Sequence, residues 1–421
     1  MSTVSVRSPR RLAGTLRLPG DKSISHRALI LNAIAHGRAQ LRGLSQGADV
    51  ASTAGCLRAL GAEMGEGWVK GRGLAALRPA PGPLDCGNSG TTMRLLAGLL
   101  AGRPFPSTLI GDDSLSRRPM DRVVVPLRQM GAAADQGSLR VGGRPLRGIR
   151  YASPVASAQV KSALLLAGLS AEGRTEITEP AHSRDHSERM LAALGAPLEV
   201  APRRVAIDGP FDDLQARDVE VPGDFSAAAF WLVAASLHPE AELRLLSVGQ
   251  NPTRTALLDV LRRMGATFSL SAEQEVSGEP FADMEISTAA QLRPIQLQPN
   301  EAAYLIDELP VLAVAASLLP GTSRLTGAAE LRLKESDRIA AMAEGLDRLG
   351  ADVRELPDGW EITGPARLRG AHVSSHGDHR VAMALAVAGL LADGETEIQG
   401  AECVDISYPN FWQDLERVCV S

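Results

Sequence analysis

A short string, L-x-x-(L/M)-G-A, recurs along the chain and constrains its fold more than any other feature of the sequence. Five copies lie at 57–62, 127–132, 191–196, 261–266 and 346–351, and a degenerate sixth lies at 415–420. Each copy ends an amphipathic pattern, and glycine is the residue that most readily ends a helix in the left-handed conformation. The glycines are 70, 64, 70 and 85 residues apart, so the 421-residue chain is predicted to contain six repeats.

A second element recurs at the same interval and is apolar on nearly every side, which is typical of a buried helix. Its copies lie at 25–37, 90–102, 158–169, 226–237, 308–319 and 378–394. Repeats that cannot bury their apolar faces alone must pack against one another. The pattern predicts an α/β fold of two lobes, each with three βαβαββ-type repeats, buried parallel helices inside and sheets outside. The alternative is an ordinary doubly wound sheet whose helix ends resemble one another by chance.

Two similar Pro-Gly strings, at 18–22 and 221–225, begin the first and fourth repeats, and we place the lobe boundary there. The prediction assigns residues 1–19 and 225–421 to lobe 1 and residues 20–224 to lobe 2. The active site is expected in the cleft between them. Because the lobes are expected to be joined only by the segments at 18–22 and 221–225, we expect them to close around a ligand by a hinge motion.

Composition excludes several classes of function. The net charge of −5 and the aromatic content of 3% argue against a nucleic-acid partner. No apolar run approaches the ~18 residues of a membrane span, and the amino terminus lacks the apolar core of a secretory signal. The four cysteines form no C-x-x-C pair, so neither zinc nor a disulfide framework is expected. We expect a cytoplasmic monomer that binds small molecules and needs no cofactor or metal.

Polar residues concentrate where each buried helix is predicted to begin, at 20–27, 87–92, 153–161, 222–226, 306–310 and 377–380. A helix start offers unpaired N–H groups and the positive end of the helix dipole, which together bind anions. Helix capping explains Asp224 and Ser226. It does not explain the cations within these segments, which are Lys22, Arg27, Lys161 and Arg380. We therefore predict that several helix starts converge on anionic ligands.

The segments that lead into the amphipathic helices add further cations, namely Arg117, Arg118, Arg184, Lys334 and Arg338. Each could belong to a solvated surface of ion pairs. Together they indicate a phosphate or carboxylate site in a chain of negative net charge. Lysine supplies only four of the 44 basic residues, which makes each lysine a candidate for a specific task.

These motifs resemble the 5-enolpyruvylshikimate-3-phosphate (EPSP) synthase family over essentially the full length. The strings that carry the resemblance are LPGDKSISHRAL, GNSGTTMR, SRRPMDRV, ASAQVKSALLLAGL, SRDHSERM, QNPTRTALLDVLRRMGA, IDELPVLAVAA, LKESDRI and GDHRVAMAL. The resemblance implies two inside-out α/β lobes of three repeats each. It also implies transfer of the enolpyruvyl group of phosphoenolpyruvate to the 5-hydroxyl of shikimate-3-phosphate, a step of aromatic amino-acid biosynthesis through chorismate.

The family's binding residues fall on specific positions of this sequence. Those that the resemblance implies for phosphoenolpyruvate are Lys22, Gly90, Arg118, Gln159, Arg338 and Arg380. Those implied for shikimate-3-phosphate are Ser23, Arg27, Ser157, Ala158 through its backbone, Gln159, Arg184, Asp307 and Lys334. Arginine suits both ligands because its planar fork matches carboxylate and phosphate oxygens.

The implied reaction requires two proton movements. The 5-hydroxyl loses a proton as it attacks C2 of phosphoenolpyruvate, and C3 gains one to give a tetrahedral intermediate. We predict Asp307 and Glu335 as the catalytic carboxylates, with Lys22 polarising the phosphate. In our hypothesis Asp307 serves the hydroxyl and Glu335 serves C3. The sequence does not decide which carboxylate moves which proton.

Two positions bear on the inhibitor glyphosate. Gly90 stands where an alanine in some relatives narrows the pocket, so glyphosate is expected to compete with phosphoenolpyruvate. Many relatives have a lysine just before the terminal (S/T)-(F/Y)-P motif, where this chain has Ile406. That replacement removes one cation expected at the phosphoenolpyruvate site, as in a divergent subset of the family.

Two rival interpretations stay open at this point. The sister family, UDP-N-acetylglucosamine enolpyruvyl transferase, has the same fold but uses a reactive cysteine on a mobile loop and an asparagine beside the first lysine. Here residues 103–122 contain no cysteine, and Lys22 is followed by Ser-Ile-Ser-His-Arg. The other rival is a non-catalytic anion-binding repeat protein with a decayed site.

Overall fold

The structure is a computed structural model of the chain. It describes residues 2–135, 139–298 and 300–420. The chain divides into two compact units. The first unit comprises Met1–Pro19, Pro222–Gln274 and Pro280–Ser421, and the second comprises Gly20–Val221 and Glu275–Glu279. No helix in the described ranges is both long and apolar enough to span a lipid bilayer.

Buried and amphipathic helices alternate along the chain, with two short helices, α4 and α10, between them. The helices are α1 (Lys22–Ala33), α2 (Ala48–Ala59), α3 (Gly90–Ala101), α4 (Asp113–Ser116), α5 (Asp121–Gln129), α6 (Ala158–Gly168), α7 (His186–Ala193), α8 (Phe225–Leu237), α9 (Ala256–Met264), α10 (Glu301–Tyr304), α11 (Leu309–Leu318), α12 (Arg338–Arg348), α13 (His379–Leu390) and α14 (Phe411–Val418). Short 3-10 helices lie at Leu74–Ala76, Ala329–Leu333 and Ala401–Ile406.

The strands surround these helices in short sheets. They are β1 (Thr3–Arg7), β2 (Arg11–Arg17), β3 (His36–Arg42), β4 (Glu63–Gly65), β5 (Trp68–Arg72), β6 (Leu84–Asp85), β7 (Pro106–Ile110), β8 (Ala134–Asp135), β9 (Leu139–Gly142), β10 (Leu146–Arg147), β11 (Arg150–Ala152), β12 (Ala171–Thr178), β13 (Leu198–Ala201), β14 (Arg204–Gly209), β15 (Val219–Glu220), β16 (Ala241–Gly249), β17 (Thr267–Val276), β18 (Glu279–Ser287), β19 (Gly321–Leu325), β20 (Asp352–Leu356), β21 (Gly359–Gly364), β22 (His372–Ser374), β23 (Glu395–Gln399) and β24 (Cys419–Val420).

Each unit has three sheets among its described residues. In the first unit the strand orders are β1-β23-β22, β17-β18-β16-β2-β24 and β19-β21-β20. In the second unit they are β15-β3-β5-β4, β6-β7-β9-β8 and β10-β12-β14-β13, with β11 also paired to β12. Parallel and antiparallel pairs occur together, as where β2 runs parallel to β16 and antiparallel to β24. This is the mixed sheet expected of a repeat that contains helical crossovers.

The buried helices fill the centre of each unit. In the first unit α8, α11 and α13 pack against one another, and in the second α3 packs against both α1 and α6. Every residue of α3 and α13 is buried. Such helices cannot face water on any side, which confirms the prediction that the all-round apolar segments lie inside the sheets. Each unit has its own hydrophobic core.

The five glycines of the recurring string end their helices in the same way. Gly61, Gly131, Gly195, Gly265 and Gly350 all have φ between 90° and 106°. The N–H of the residue after each glycine donates to the carbonyl five residues earlier, as from Ala62 to Leu57 at 3.0 Å. These bonds satisfy helix carbonyls that would otherwise be unpaired. The sixth copy lacks the glycine and instead continues from α14 into β24.

The observed units depart from the predicted lobe boundaries at two places. Residues 222–224 lie in the first unit, because the N–H of Asp224 donates to the carbonyl of Pro19 at 2.9 Å and Gly223 bonds to Ser247. Glu275–Glu279, which includes the turn between β17 and β18, is grouped with the second unit. There the carboxylate of Glu279 lies 2.7 Å from Nδ1 of His186. A turn that makes such a contact could not be assigned from its position in the sequence.

Candidate active site

The starts of α3 and α6 lie side by side in the second unit. The amide of Gln159 donates to the hydroxyl of Thr91 at 2.8 Å, and its carbonyl accepts a bond from Arg94. Ser89 and Ser157 cap the two helices. Two helix starts therefore present their N–H groups in one place, as an anion site requires.

Arg118 lies against the start of α3. Its guanidinium donates to the backbone carbonyl of Asn88 at 3.3 Å and also to the Asn88 side chain. A methyl group on Gly90 would lie 3.0 Å from Nη1 of Arg94 and 3.5 Å from Nη1 of Arg118. Glycine thus leaves two guanidinium groups room beside the helix terminus.

If phosphoenolpyruvate lies against Gly90, as the resemblance drawn from the motifs implies, Gly90→Ala should raise the inhibition constant of glyphosate and, less strongly, the KM for phosphoenolpyruvate. Overpacking typically costs about 1–3 kcal/mol, so the larger change should be about tenfold. Glyphosate should suffer more because a longer chain separates its two acidic groups. Steady-state inhibition kinetics measure both constants. Gly82→Ala is the matched control, since a methyl there meets nothing within 4 Å. Unchanged constants in Gly90→Ala would contradict placement of the ligand against Gly90.

Lys22 is the first residue of α1. Its Nζ lies 3.1 Å from a carboxylate oxygen of Asp49 on α2. Asp21 caps the helix by accepting the N–H of Ile24. Asp49 is buried and fixes the direction of the lysine, but its position within an amphipathic segment gave no sequence signal of this role.

Arg27 lies one turn further along α1 and is buried. Its guanidinium donates to the carbonyl of Ser23 at 2.8 Å, to the hydroxyl of Ser162 at 2.8 Å and to that of Ser187 at 2.7 Å. Burial, with a smaller contribution from the nearby charge of Arg184, lowers the pKa of Arg27 to about 10. The charges of the two arginines therefore interact, and Arg27 stays charged at neutral pH.

His26 joins three helices of this unit through a chain of hydrogen bonds. Its Nδ1 bonds to the hydroxyl of Thr53 on α2 at 2.7 Å, and Thr53 bonds to the hydroxyl of Thr92 on α3 at 2.7 Å. Burial, with the charges of Lys22 and Arg27, lowers the pKa of His26 well below its usual value. The imidazole is therefore neutral in the folded protein.

Because His26 is neutral when buried, acid should destabilise the second unit. Below about pH 6.5 the unfolded chain binds a proton that the folded chain does not, so the free energy of unfolding falls by about 1.4 kcal/mol per pH unit. His26→Asn removes this contribution. We expect the stability difference between wild type and variant to shrink from about pH 7 to about pH 5 in urea unfolding. His372→Asn, at an 82% exposed side chain, should show no such change. A constant difference for His26→Asn would mean that His26 titrates normally.

Lys161 is paired with two carboxylates of the protein, whereas its place at a helix start had suggested a ligand anion. Its Nζ lies 2.9 Å from Glu179 and 2.7 Å from Glu188. Burial opposes its charge, yet the two carboxylates raise the pKa of Lys161 above its usual value. The anionic partners of Lys161 are thus Glu179 and Glu188, not a ligand predicted from the sequence.

Arg338, the first residue of α12, organises the site of the first unit. Its guanidinium lies 2.7 Å from Asp378, 2.7 Å from Glu335 and 3.5 Å from Asp307. The side chain is almost wholly buried. Burial alone would lower its pKa, but the charges of Asp378, Glu335 and Asp307 hold the pKa of Arg338 above its usual range. The same contacts bring both predicted catalytic carboxylates to one guanidinium.

Arg380 approaches Asp307 from the start of α13. It donates to the backbone carbonyl of Asp307 at 3.0 Å, and its Nε lies 3.6 Å from the Asp307 carboxylate. Burial lowers the pKa of Lys334, which the charge of Asp307 partly offsets. Asp378 caps α13 by accepting the N–H of Arg380 at 2.9 Å. Arg380 and Asp378 thus lie at the start of α13, and Arg380 contacts Asp307 just before α11.

A second polar group in the first unit links α8 with α11. Asp224 caps α8, as predicted, by accepting the N–H of Ser226 at 2.8 Å. The Ser226 hydroxyl donates to Glu308 at 2.5 Å, and Arg254 contacts both Ser226 and Asp224. Sequence analysis missed Glu308 and Arg254. Glu308 lies within a segment that otherwise looks like an apolar core helix.

The predicted site residues are divided between the two units. The second unit contains Lys22, Ser23, Arg27, Gly90, Arg118, Ser157, Ala158, Gln159 and Arg184. The first unit contains Asp307, Lys334, Glu335, Arg338 and Arg380. Ile406 packs instead against the hydrophobic core of the first unit. Within the described ranges, no group of three or more His, Cys, Asp and Glu side chains is arranged to hold a metal ion.

Comparison with known proteins identifies this arrangement. A family model described as EPSP synthase (3-phosphoshikimate 1-carboxyvinyltransferase) matches residues 6–415. The chain belongs to the EPSP synthase family. It is 54% identical to the 3-phosphoshikimate 1-carboxyvinyltransferase of Synechococcus sp. (strain JA-3-3Ab), over 98% of this chain and 96% of that protein. The corresponding enzyme of Gloeobacter violaceus is 53% identical, over 98% of each chain.

Solved structures agree with this EPSP synthase assignment. EPSP synthase from Acinetobacter baumannii superposes with a TM-score of 0.89 at 39% identity, covering 100% of this chain and 98% of that one. The enolpyruvyl transferase NikO from Streptomyces tendae gives a TM-score of 0.79 at 19% identity, over 98% of this chain and 96% of that one, and shares the fold. The resemblance drawn from the motifs is thus confirmed for the family and for the fold.

Proposed function

We propose that the chain transfers the enolpyruvyl group of phosphoenolpyruvate to the 5-hydroxyl of shikimate-3-phosphate, releasing phosphate. The observation that carries this proposal is the placement of two carboxylates, Asp307 and Glu335, against the buried guanidinium of Arg338 in a chain of this family. A reaction that moves two protons beside an anionic substrate needs such an arrangement, because the cation binds the anion and the carboxylates move the protons.

Phosphoenolpyruvate is assigned to Lys22, Gly90, Arg118, Gln159, Arg338 and Arg380. The supporting argument is electrostatic, because four of these residues carry positive charge and the ligand carries a carboxylate and a phosphate. Lys22 is directed by Asp49, and Arg338 by three carboxylates, so neither cation must be reoriented when the ligand binds. Such preorganised cations stabilise the charge that develops as phosphate departs.

Shikimate-3-phosphate is assigned to Ser23, Arg27, Ser157, Ala158, Gln159, Arg184, Asp307 and Lys334. The support is the interacting charges of Arg27 and Arg184, together with the helix start at Ser157, which suit its phosphate. Asp307 would then accept the 5-hydroxyl proton and Glu335 would supply the proton to C3. Both movements reverse when the tetrahedral intermediate collapses.

The residues assigned to the substrates are drawn from both units, so we propose that the reaction requires side chains of each. We further propose that the protein acts as a monomer in the cytoplasm, with no nucleic-acid partner and no cofactor.

The test is a phosphate-release assay with purified protein. Phosphate should appear only when phosphoenolpyruvate and shikimate-3-phosphate are both present. Replacing shikimate-3-phosphate with UDP-N-acetylglucosamine should abolish release. Release from phosphoenolpyruvate with UDP-N-acetylglucosamine, but not with shikimate-3-phosphate, would favour the sister activity. No release with either acceptor would favour a non-catalytic binding protein.

A further inference from the structure

We propose that Glu179 is a positioning residue for shikimate-3-phosphate, which holds the start of α6 and the segment before α7 on one buried carboxylate. The inference rests on the proposed function, which places Ser157 and Arg184 against this substrate. Glu179 directly follows strand β12, and no motif in the sequence marks it.

The two oxygens of Glu179 have different partners. Oε1 accepts the backbone N–H of Ser157 at 3.0 Å. Oε2 accepts the hydroxyl of Ser183 at 2.9 Å and lies 2.9 Å from Nζ of Lys161. The Glu179 side chain thus links Ser157, which caps α6, to Ser183, which precedes Arg184. Displacing this carboxylate would release both segments at once.

Lys161 makes this arrangement possible. An ionised carboxylate that is buried without a partner is strongly destabilising, and the ammonium group of Lys161 supplies that partner. The same ammonium lies 2.7 Å from Glu188 and 3.4 Å from the carbonyl of Ser183. Lys161 therefore contacts the oxygen of Glu179 that does not bond to Ser157, and Lys161, Glu179 and Glu188 are all buried.

Glu179 acts through its neighbours and not on the substrate itself. A carboxylate repels the phosphate of shikimate-3-phosphate, and Lys161 is already engaged by two carboxylates. The segments that Glu179 holds can favour an anion. Ser157 caps the start of α6, and Arg184, which follows Ser183, adds positive charge near Arg27. The effect of Glu179 should therefore appear in substrate binding and not in the chemical step.

The experiment compares Glu179→Gln with Glu188→Gln. Each variant removes one negative charge from Lys161, but only Glu179 bonds to Ser157 and Ser183. Glutamine has one acceptor oxygen, so its NH2 group must face either the Ser157 N–H or the Lys161 ammonium, both of which only donate, and one of these contacts is lost. We expect Glu179→Gln to raise the KM and the calorimetric Kd for shikimate-3-phosphate about tenfold. The KM for phosphoenolpyruvate and kcat should stay within about twofold, as should every constant of Glu188→Gln.

Glu179→Asp provides a second variant if Glu179→Gln does not fold. Aspartate keeps the charge beside Lys161 but withdraws the carboxylate by one methylene group from Ser157 and Ser183. It should therefore retain stability and raise the KM for shikimate-3-phosphate. Unchanged binding in either folded Glu179 variant would overturn the inference, as would an equal loss in Glu188→Gln. A wild-type protein that neither binds shikimate-3-phosphate nor releases phosphate would overturn the proposed function instead.

Discussion

Replacing Asp307 with asparagine, or Glu335 with glutamine, should lower kcat by about 10²–10⁴-fold while both substrates still bind. Each change removes a proton-transfer group and keeps a side chain of the same size. Arg338 retains its 2.7 Å contact with Asp378 in both variants, so the phosphoenolpyruvate site should persist. Phosphate release at saturating substrate measures kcat, and calorimetry measures substrate binding.

Asp337→Asn is the matched control for these variants. Asp337 directly precedes Arg338, caps α12 and pairs with Arg332 at 2.7 Å. Losing it should reduce stability slightly and leave kcat within about twofold. Near-normal turnover in either Asp307→Asn or Glu335→Gln would remove that residue from the mechanism.

The two carboxylates can also be distinguished from each other. If Glu335 protonates C3, Glu335→Gln should stop the incorporation of solvent deuterium into the methylene group of phosphoenolpyruvate during incubation with shikimate-3-phosphate. Incorporation that continues in Glu335→Gln and stops in Asp307→Asn would reverse the assigned roles.

Arg338→Ala should destabilise the first unit by about 3–5 kcal/mol and abolish phosphoenolpyruvate binding. The reason is that Asp307, Glu335 and Asp378 would lose their shared cation, and an uncompensated buried charge costs that much. Urea unfolding can be followed by tryptophan fluorescence, because Trp231, Trp360 and Trp412 lie in the first unit.

Arg332→Ala is the control, because it shows how much stability is lost when an arginine outside the buried acidic cluster is removed. Arg332 also contacts carboxylates, those of Asp337 and Glu355, but its side chain is 28% exposed. Partly solvated pairs contribute little, so the expected loss is below about 1 kcal/mol. Equal losses in the two variants would show that Arg338 does not neutralise a buried acidic cluster.

Local patterns were enough to predict the repeats and their helices. An all-round apolar segment such as α3 can be stable only inside a protein, and glycine after an amphipathic segment can end a helix at positive φ. Neither inference needs a distant contact. Asp224 and Asp378 could be recognised as helix caps for the same reason, because a cap bonds within two or three residues of its own position.

The partners of the site residues could not be predicted this way. Lys161 meets Glu179 and Glu188, and Lys22 meets Asp49, only after separate repeats pack together. A cation at a helix start looks the same in the sequence whether its anion is a substrate or a carboxylate of the protein. Motif resemblance supplied the ligand assignments for this reason, and the structure supplied the groups that hold the ligand residues in place.

The pairing of the first two strands has a consequence for synthesis on the ribosome. Strand β2 lies between β16 and β24, and β1 pairs with β23. At about 5–20 residues per second, these partners emerge tens of seconds after the amino terminus. The second unit can complete its core in the meantime, whereas β1 and β2 wait as unpaired edges. Nascent chains halted between Val221 and β16 should therefore contain a protease-resistant second unit and an amino-terminal segment that is still cleaved.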